Sequence, residues 1–176
     1  MCVPAADIRV GDLHRRVLLV GACPGRDEEA NGRPFSGEAG QNLNIMLQRL
    51  HALHPNIFPT GRADDYSMVN AHSLPRYPGR QGYDGRTQPR KREVLAQENR
   101  ARLVAHLLAI QAERVVYLGK AAGFSHEVIL ALQPNIQAYR TGHPSTQAWN
   151  TRLPYVGLQR FEKICRWAED QFALVG

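Results

Sequence analysis

Short apolar runs alternate along the chain with longer segments whose apolar positions recur every three or four residues. The short runs predict buried strands, and they cover residues 17–20, 66–69, 115–118 and 136–140. The longer segments predict helices, because residues such as Leu43, Met46, Leu47 and Leu50 fall on one helical face. These segments cover residues 39–53, 93–110, 121–132 and 155–172.

Strands and helices follow one another in strict alternation, which predicts a mainly parallel sheet covered by helices on both faces. We therefore expect one domain over residues 1–176, with an α/β fold built as a three-layer α/β/α sandwich around a four-stranded sheet. In such sheets, ligands bind at the carboxyl ends of the strands. Residues 21–25, 70–76 and 142–145 follow strands, so we expect them to meet at one edge.

The charge balance favours a polyanionic partner. The chain has 22 lysines and arginines against 16 acidic residues, a net charge of +6. Cations that neutralise phosphates release counterions, so this excess suits nucleic acid, although charge alone is a weak signal. No apolar run of about 18 residues occurs, and residues 1–16 lack the apolar stretch of a signal peptide. We expect a cytoplasmic monomer that does not span a membrane.

The usual motifs for cofactors are missing. The three cysteines, Cys2, Cys23 and Cys165, are odd in number and far apart, which favours neither a disulfide framework nor a zinc site. Three cysteines also cannot supply a four-cysteine iron–sulfur cluster. The turn at residues 21–25 matches neither a P-loop nor a dinucleotide-binding fingerprint, which argues against a nucleotide-hydrolysing or dinucleotide-binding protein. We expect no metal and no cofactor.

Three segments resemble the motifs of the family-four uracil-DNA glycosylases. The run GACPG at residues 21–25, an acidic patch and then GRPFSG at residues 32–37 resemble the first motif of that family. The strand that ends at Asn70 and the run TGHPS at residues 141–145 resemble its later motifs, in the same order. Two departures are clear: Ala22 stands where the family has glutamate, and the iron–sulfur cysteines are missing.

This resemblance implies an enzyme that flips a base out of DNA and hydrolyses its bond to the sugar. Phe35 would stack on the base, Asn70 would read its edge, and His143 would donate a hydrogen bond to the departing base. Asp27 and Glu28 are the candidates for positioning the water. The main chain around the base would come from Gly21, Ala22, Cys23, Pro24 and Gly25, and Ser145 would hold a phosphate.

The segment of residues 73–92 predicts an irregular loop, because prolines and glycines interrupt it throughout. Its cations, set against the single acid Asp84, are Arg76, Arg80, Arg86, Arg90, Lys91 and Arg92. Such a run is usually a solvated surface, but beside a base pocket it favours a DNA clamp or a base-displacing loop.

The sequence leaves three questions open. The base could be uracil or a pyrimidine with a substituent at C5, since Gly25 presents no side chain there. The role could be base-excision repair or defence against phage. Alternatively, Ala22 marks a member of the superfamily that binds bases in DNA without efficient cleavage.

Overall fold

Six strands form one sheet in the computed structural model, which describes residues 6–12, 16–150 and 152–176. The strands are β1 (Ile8–Arg9), β2 (Val17–Gly21), β3 (Ser67–Asn70), β4 (Arg114–Leu118), β5 (Gln137–Thr141) and β6 (Ala173–Leu174). Their order in the sheet is β1-β3-β2-β4-β5-β6. The four inner strands are parallel, while β1 and β6 add antiparallel edges. The predicted α/β fold with a mainly parallel sheet is confirmed, with six strands in place of four.

The two edge strands are absent from the prediction because each is only two residues long. A strand of that length has no detectable alternation of apolar and polar positions. The four inner strands, in contrast, lie within one residue of the predicted runs.

Eight α-helices connect and cover the strands in the described part of the chain. They are α1 (Arg26–Asn31), α2 (Glu38–Leu53), α3 (Lys91–Val94), α4 (Gln97–Ile110), α5 (Lys120–Gly123), α6 (His126–Leu132), α7 (Thr146–Trp149) and α8 (Arg160–Gln171). The predicted helices at 93–110 and 121–132 are each divided in two, and α8 begins later than predicted. Gly157, at a φ of 87°, lies in the segment before α8 and is incompatible with a continuous helix from residue 155.

The side chains of β2 alternate between two apolar layers, which gives the three-layer architecture. Val17 and Leu19 pack into one core with α2 and α8. Leu18 and Val20 pack into the other core with α4 and α6. All four side chains have no exposed surface, so β2 is covered on both faces, as its continuous apolar run predicts.

Among the described residues, no helix has both the length and the apolar composition needed to cross a membrane. Cys2 lies outside the described residues.

Candidate active site

A cavity of about 210 Å³ opens at the carboxyl ends of β2, β3 and β5. This is the edge of the sheet where the sequence places the candidate residues. Phe35, Asn70 and His143 all line it, although they are far apart in the chain. The other lining residues are Ala22, Cys23, Pro24, Gly25, Glu28, Ala39, Arg76, Thr87, Gln88, Ser145 and Gln147.

Gly21, the last residue of β2, lets Phe35 and Asn70 approach each other. A Cβ atom at this position would lie 2.3 Å from Oδ1 of Asn70 and 2.8 Å from Cζ of Phe35. Both distances are shorter than any normal contact, so a side chain at residue 21 would displace one of the two. The glycine is therefore required by the geometry of the cavity, although it does not line the cavity itself.

Phe35 has a strained backbone conformation. Its φ of 51° is in the left-handed region, which residues other than glycine adopt rarely, at a cost of about 1–3 kcal/mol. Gly40 of α2 packs directly on the Phe35 carbonyl, since a Cβ there would lie 1.8 Å from that oxygen. The turn thus brings the half-buried ring to the cavity from the start of α2, instead of burying it completely in the core.

His143 is fixed in one tautomer by its neighbour. The backbone N–H of Ser145 donates to Nδ1 of His143 over 3.1 Å, so Nδ1 is the acceptor and the ring proton lies on Nε2. The indole of Trp167 holds the His143 carbonyl over 3.0 Å. Burial lowers the pKa of His143 to about 4. At neutral pH the ring is therefore an uncharged hydrogen-bond donor.

Of the two acidic candidates, only Glu28 lines the cavity. Its Oε2 accepts a hydrogen bond from the backbone N–H of Gly25 over 3.0 Å, which caps the start of α1. Burial raises the pKa of Glu28 above its usual value. Asp27 is exposed and lines a separate cavity beside the first.

Ala22 and Cys23 make the adjoining wall of the cavity uncharged. Ala22 is buried and Cys23 is half-buried. Burial raises the pKa of the Cys23 thiol to about 12, so this group is protonated at neutral pH and is not a base. The thiol lies 3.5 Å from the Thr87 carbonyl. This contact attaches the arginine-rich loop, residues 73–92, to the cavity.

Three arginines of that loop are engaged with acidic groups of the protein. Arg76 is buried and pairs with Glu93 over 2.8 Å, and Arg80 pairs with Glu29 over 3.0 Å. Arg86 pairs with Asp84 within the loop. The first two contacts hold the loop against α3 and α1, and all three guanidinium groups are partly neutralised. The prediction did not include Thr87 and Gln88, which lie at the cavity mouth without any motif to mark them.

The cations at the end of the loop differ from these three. The side chains of Arg90 and Arg92 are exposed and form no ion pair with any described residue. Lys91 has only a distant partner, Glu127, at 3.9 Å. This group, Arg90 to Arg92, therefore remains available to an anionic partner.

The cavity that Phe35, Asn70 and His143 line is called the base cavity below. A larger groove of about 770 Å³ adjoins it, and Gln88 and His143 line both. Lys120, Arg140 and Arg152 line this groove and form no ion pair within the described part of the chain. Its acidic residue, Asp170, accepts a hydrogen bond from the Tyr155 hydroxyl. No sequence motif marks these cations, although Lys120 and Arg140 lie at the carboxyl ends of β4 and β5, where such groups are expected.

The iron–sulfur cluster of the family-four enzymes does not fit this chain. Cys23 lines the base cavity, whereas Cys165 belongs to α8 and faces a groove between α2 and α8. The third cysteine, Cys2, would still leave such a cluster one ligand short.

Comparison with known proteins identifies the family of this chain. The family model of the uracil DNA glycosylase superfamily matches residues 8–169, and the chain belongs to that superfamily. Within it, the chain is similar to the type-4 uracil-DNA glycosylases of Pyrobaculum aerophilum, at 42% identity over 50 residues, and Archaeoglobus fulgidus, at 37% over 51 residues. These alignments cover 28% and 29% of the chain, and 26% of each relative.

Proposed function

We propose that the protein is a monofunctional DNA glycosylase that acts as a monomer without a metal or cofactor. It takes uracil or a C5-substituted pyrimidine out of DNA and hydrolyses the N-glycosidic bond, leaving an abasic site. The observation that carries this proposal is the meeting of Phe35, Asn70 and His143 at one cavity. Their side chains offer a stacking surface, an edge reader and an uncharged donor, which are the groups that base excision needs.

The reaction breaks the bond between C1′ of the sugar and the base nitrogen, and the electron pair leaves on the base. The Nε2–H of His143 stabilises the negative charge that develops there, and its effect is largest in the transition state. Water adds its oxygen to C1′ and loses one proton. Glu28 is the carboxylate that borders the cavity, so we assign to it the role of accepting that proton.

Asn70 is suited to read a uracil-like edge because its amide has both a donor and an acceptor. The residue is only 3% exposed, so the amide is shielded from bulk water, and its Nδ2 donates to the Ala6 carbonyl over 3.5 Å. A buried amide left without its partner rejects the wrong base strongly, which is how a reader discriminates.

Phosphate binding belongs to the cations that form no ion pair with a described residue, or only a distant one as Lys91 does, although Arg152 also donates to the Ala148 carbonyl and lies over the Trp167 ring. These are Arg90, Lys91 and Arg92 at the end of the loop, and Lys120, Arg140 and Arg152 in the adjoining groove. Ser145 lines both the base cavity and the separate cavity that Asp27 lines, and its hydroxyl is a further candidate for a phosphate. Arg76, Arg80 and Arg86 instead hold the loop in place.

The choice between uracil and a modified pyrimidine depends on the wall formed by residues 22–25. Ala22 and Gly25 leave their two positions of this wall without a bulky side chain, which is compatible with a substituent at C5. Excision of such a base would serve defence against phage, whereas excision of uracil would serve base-excision repair.

One observation favours a second candidate, a protein that binds bases in DNA but cleaves poorly. Ala22 stands where the similar family has glutamate, so a carboxylate present there is missing here. Glu28 offsets this loss only if its carboxylate reaches the attacking water.

The deciding experiment is a panel of single- and double-stranded oligonucleotides, each with one altered base. Strand breakage at abasic sites after alkali reports excision. We expect cleavage at uracil or at one C5-substituted pyrimidine. Tight binding with no cleavage of any substrate would support the second candidate, and neither binding nor cleavage would exclude both.

A further inference from the structure

One buried ion pair holds the backbone on both sides of Asn70. The N–H of Asn70 donates to the Asp7 carbonyl over 2.7 Å. The Asn70 carbonyl accepts a hydrogen bond from Nη2 of Arg102 over 2.9 Å. Arg102 also donates through Nη1 to the carboxylate of Asp7, so the three residues form a closed ring of contacts.

The remaining donors of Arg102 are used in the same place. Its Nη2 also reaches the Ala71 carbonyl, at 3.1 Å, and its Nε donates to Oδ1 of Asn99 over 3.0 Å. The amide of Asn99 donates to the Ala71 carbonyl as well, over 2.8 Å. Carbonyl groups just beyond the end of a strand need such partners when they are buried. Two side chains of α4 therefore stabilise the turn that presents Asn70.

The ring is largely shielded from water. The side chains of Arg102 and Asp7 are 18% and 10% exposed. Burial alone would raise the pKa of Asp7, but its contacts with His106 and Arg102 together lower it, so Asp7 is ionised at neutral pH. A charged pair in this setting is sensitive to the loss of either partner.

We propose that Arg102 is a positioning residue for base recognition. Together with Asp7 it fixes the peptide groups around Asn70, so that the amide meets the edge of the extruded base in one orientation. Neither Arg102 nor Asp7 lines the cavity, and both act through Asn70. The inference rests on the proposed function, because it assigns a cause to the selectivity of that same site.

The geometry requires an arginine in particular. A guanidinium group donates in several fixed directions within one plane, and Arg102 uses all three of its guanidinium nitrogens to reach four different partners. A lysine keeps the charge but cannot reach the Asn70 carbonyl, the Asp7 carboxylate and Asn99 together. Displacement of a reacting group by about 1 Å lowers rates roughly 100-fold, so a small shift of Asn70 is enough to matter.

The test compares Arg102→Lys with Arg100→Lys, a control on the same helix that is more exposed and, among the described residues, pairs only with Glu127, at 3.7 Å. The measured quantity is the ratio of kcat/KM for the preferred base to that for the next best base in the panel. We expect Arg102→Lys to lower this ratio about 10-fold or more, and Arg100→Lys to leave it unchanged. Affinity for DNA without an excisable base should stay the same in both variants.

A second variant, Asp7→Asn, keeps the backbone carbonyl that holds Asn70 but removes the charge that holds Arg102. It should lower the same ratio by a smaller factor, and thermal melting reports whether either variant is folded at the assay temperature. If Arg102 only stabilises the fold, rates for all bases fall together with the folded fraction and the ratio stays constant, which would overturn the inference. If the wild-type protein excises no base, the proposed function fails, and the inference fails with it.

Discussion

Ser145 donates its backbone N–H to Nδ1 of His143 over 3.1 Å, and this contact decides what His143 can do. It leaves the ring proton on Nε2, while burial keeps the ring uncharged. An uncharged imidazole with its proton on Nε2 can donate one hydrogen bond to the anionic leaving base. The contact is made by a residue two positions along the chain, so the turn after β5 builds the donor locally.

His143→Ala should lower single-turnover excision at least about 100-fold, because the Nε2–H stabilises charge that exists mainly in the transition state. Binding to substrate DNA should change little, and the two effects are measured by rapid-quench kinetics and by fluorescence anisotropy. His72→Ala is a matched control. His72 also accepts the N–H of the residue two positions later, Leu74, over 3.1 Å, but it does not line the cavity. Equal activity of the two variants would contradict the assignment.

The pKa of His143 also predicts how stability depends on pH. An unfolded histidine takes up a proton near pH 6.5, whereas the folded His143 does so only near pH 4. The unfolded state therefore binds more protons between these values, and the free energy of unfolding should fall as pH drops from 6.5 to 4. The expected loss from this residue is about 3 kcal/mol. Urea unfolding at several pH values measures it, and a His143→Gln variant should lose less over the same interval.

Glu28→Gln should slow excision about 100-fold or more at neutral pH if the carboxylate accepts the proton of the attacking water. Because burial raises the pKa of Glu28, the wild-type rate should fall as pH drops through a value above that of an ordinary glutamate. The variant should lose this acid limb, as a pH profile of single-turnover rates would reveal. Asp27→Asn is the control, since Asp27 is an exposed neighbour that does not line this cavity. A similar loss in both variants would remove Glu28 from the mechanism.

The parts of the fold that were predictable from sequence are those with a strong repeat. The continuous apolar run of β2 predicts a buried strand, and the periodic apolar positions of α2 predict a helix. Both elements lie within one residue of the predicted ends. Helix α1 was missed because its six residues are nearly all polar and it depends on a cap between Gly25 and Glu28. Short elements of this kind are determined by local hydrogen bonds and not by periodicity.

The candidate site also has a part that was predictable from the sequence and a part that was not. Asn70 ends β3 and His143 follows β5, so the sheet topology brings them to the same edge, whereas Phe35 reaches the cavity from the turn before α2. The partners of the loop arginines could not be predicted, because Glu29 and Glu93 reach Arg80 and Arg76 only through the tertiary fold. The contacts of Arg102 with Asn70 likewise join α4 to β3 across 32 positions of sequence.

Gly21→Ala should abolish most excision while leaving the fold largely intact. The new methyl group would lie 2.3 Å from Oδ1 of Asn70, so either Asn70 or Phe35 must move away from the base. Gly123→Ala is the control. Apart from its chain neighbours and the backbone of its own helix, no atom lies within 4 Å of its Cβ position, and alanine is favoured over glycine in a helix. Activity and thermal melting of both variants test this, and a fully active Gly21→Ala protein would show that the close approach is not required.

The last prediction separates the cations that bind DNA from those that hold the protein together. Each phosphate contact contributes about 0.9 to the slope of log affinity against log salt for duplex DNA, so exchanging three contacting cations for glutamine should lower the slope by about 2–3. We expect this for the set Arg90, Lys91 and Arg92 and for the set Lys120, Arg140 and Arg152, measured separately by titration at several salt concentrations.

The comparison variant changes Arg80 and Arg86 to glutamine. Both side chains are paired with acidic groups, so the salt slope should stay the same even if the loop becomes less stable. A reduced slope in this variant would mean that DNA displaces Glu29 and Asp84 from their arginines. An unchanged slope in one of the triple variants would remove that set from the DNA-binding surface. The groove that Lys120, Arg140 and Arg152 line shares Gln88 and His143 with the base cavity. Reduced slopes in both triple variants would therefore mean that DNA contacts the end of the loop together with the groove that adjoins the base cavity.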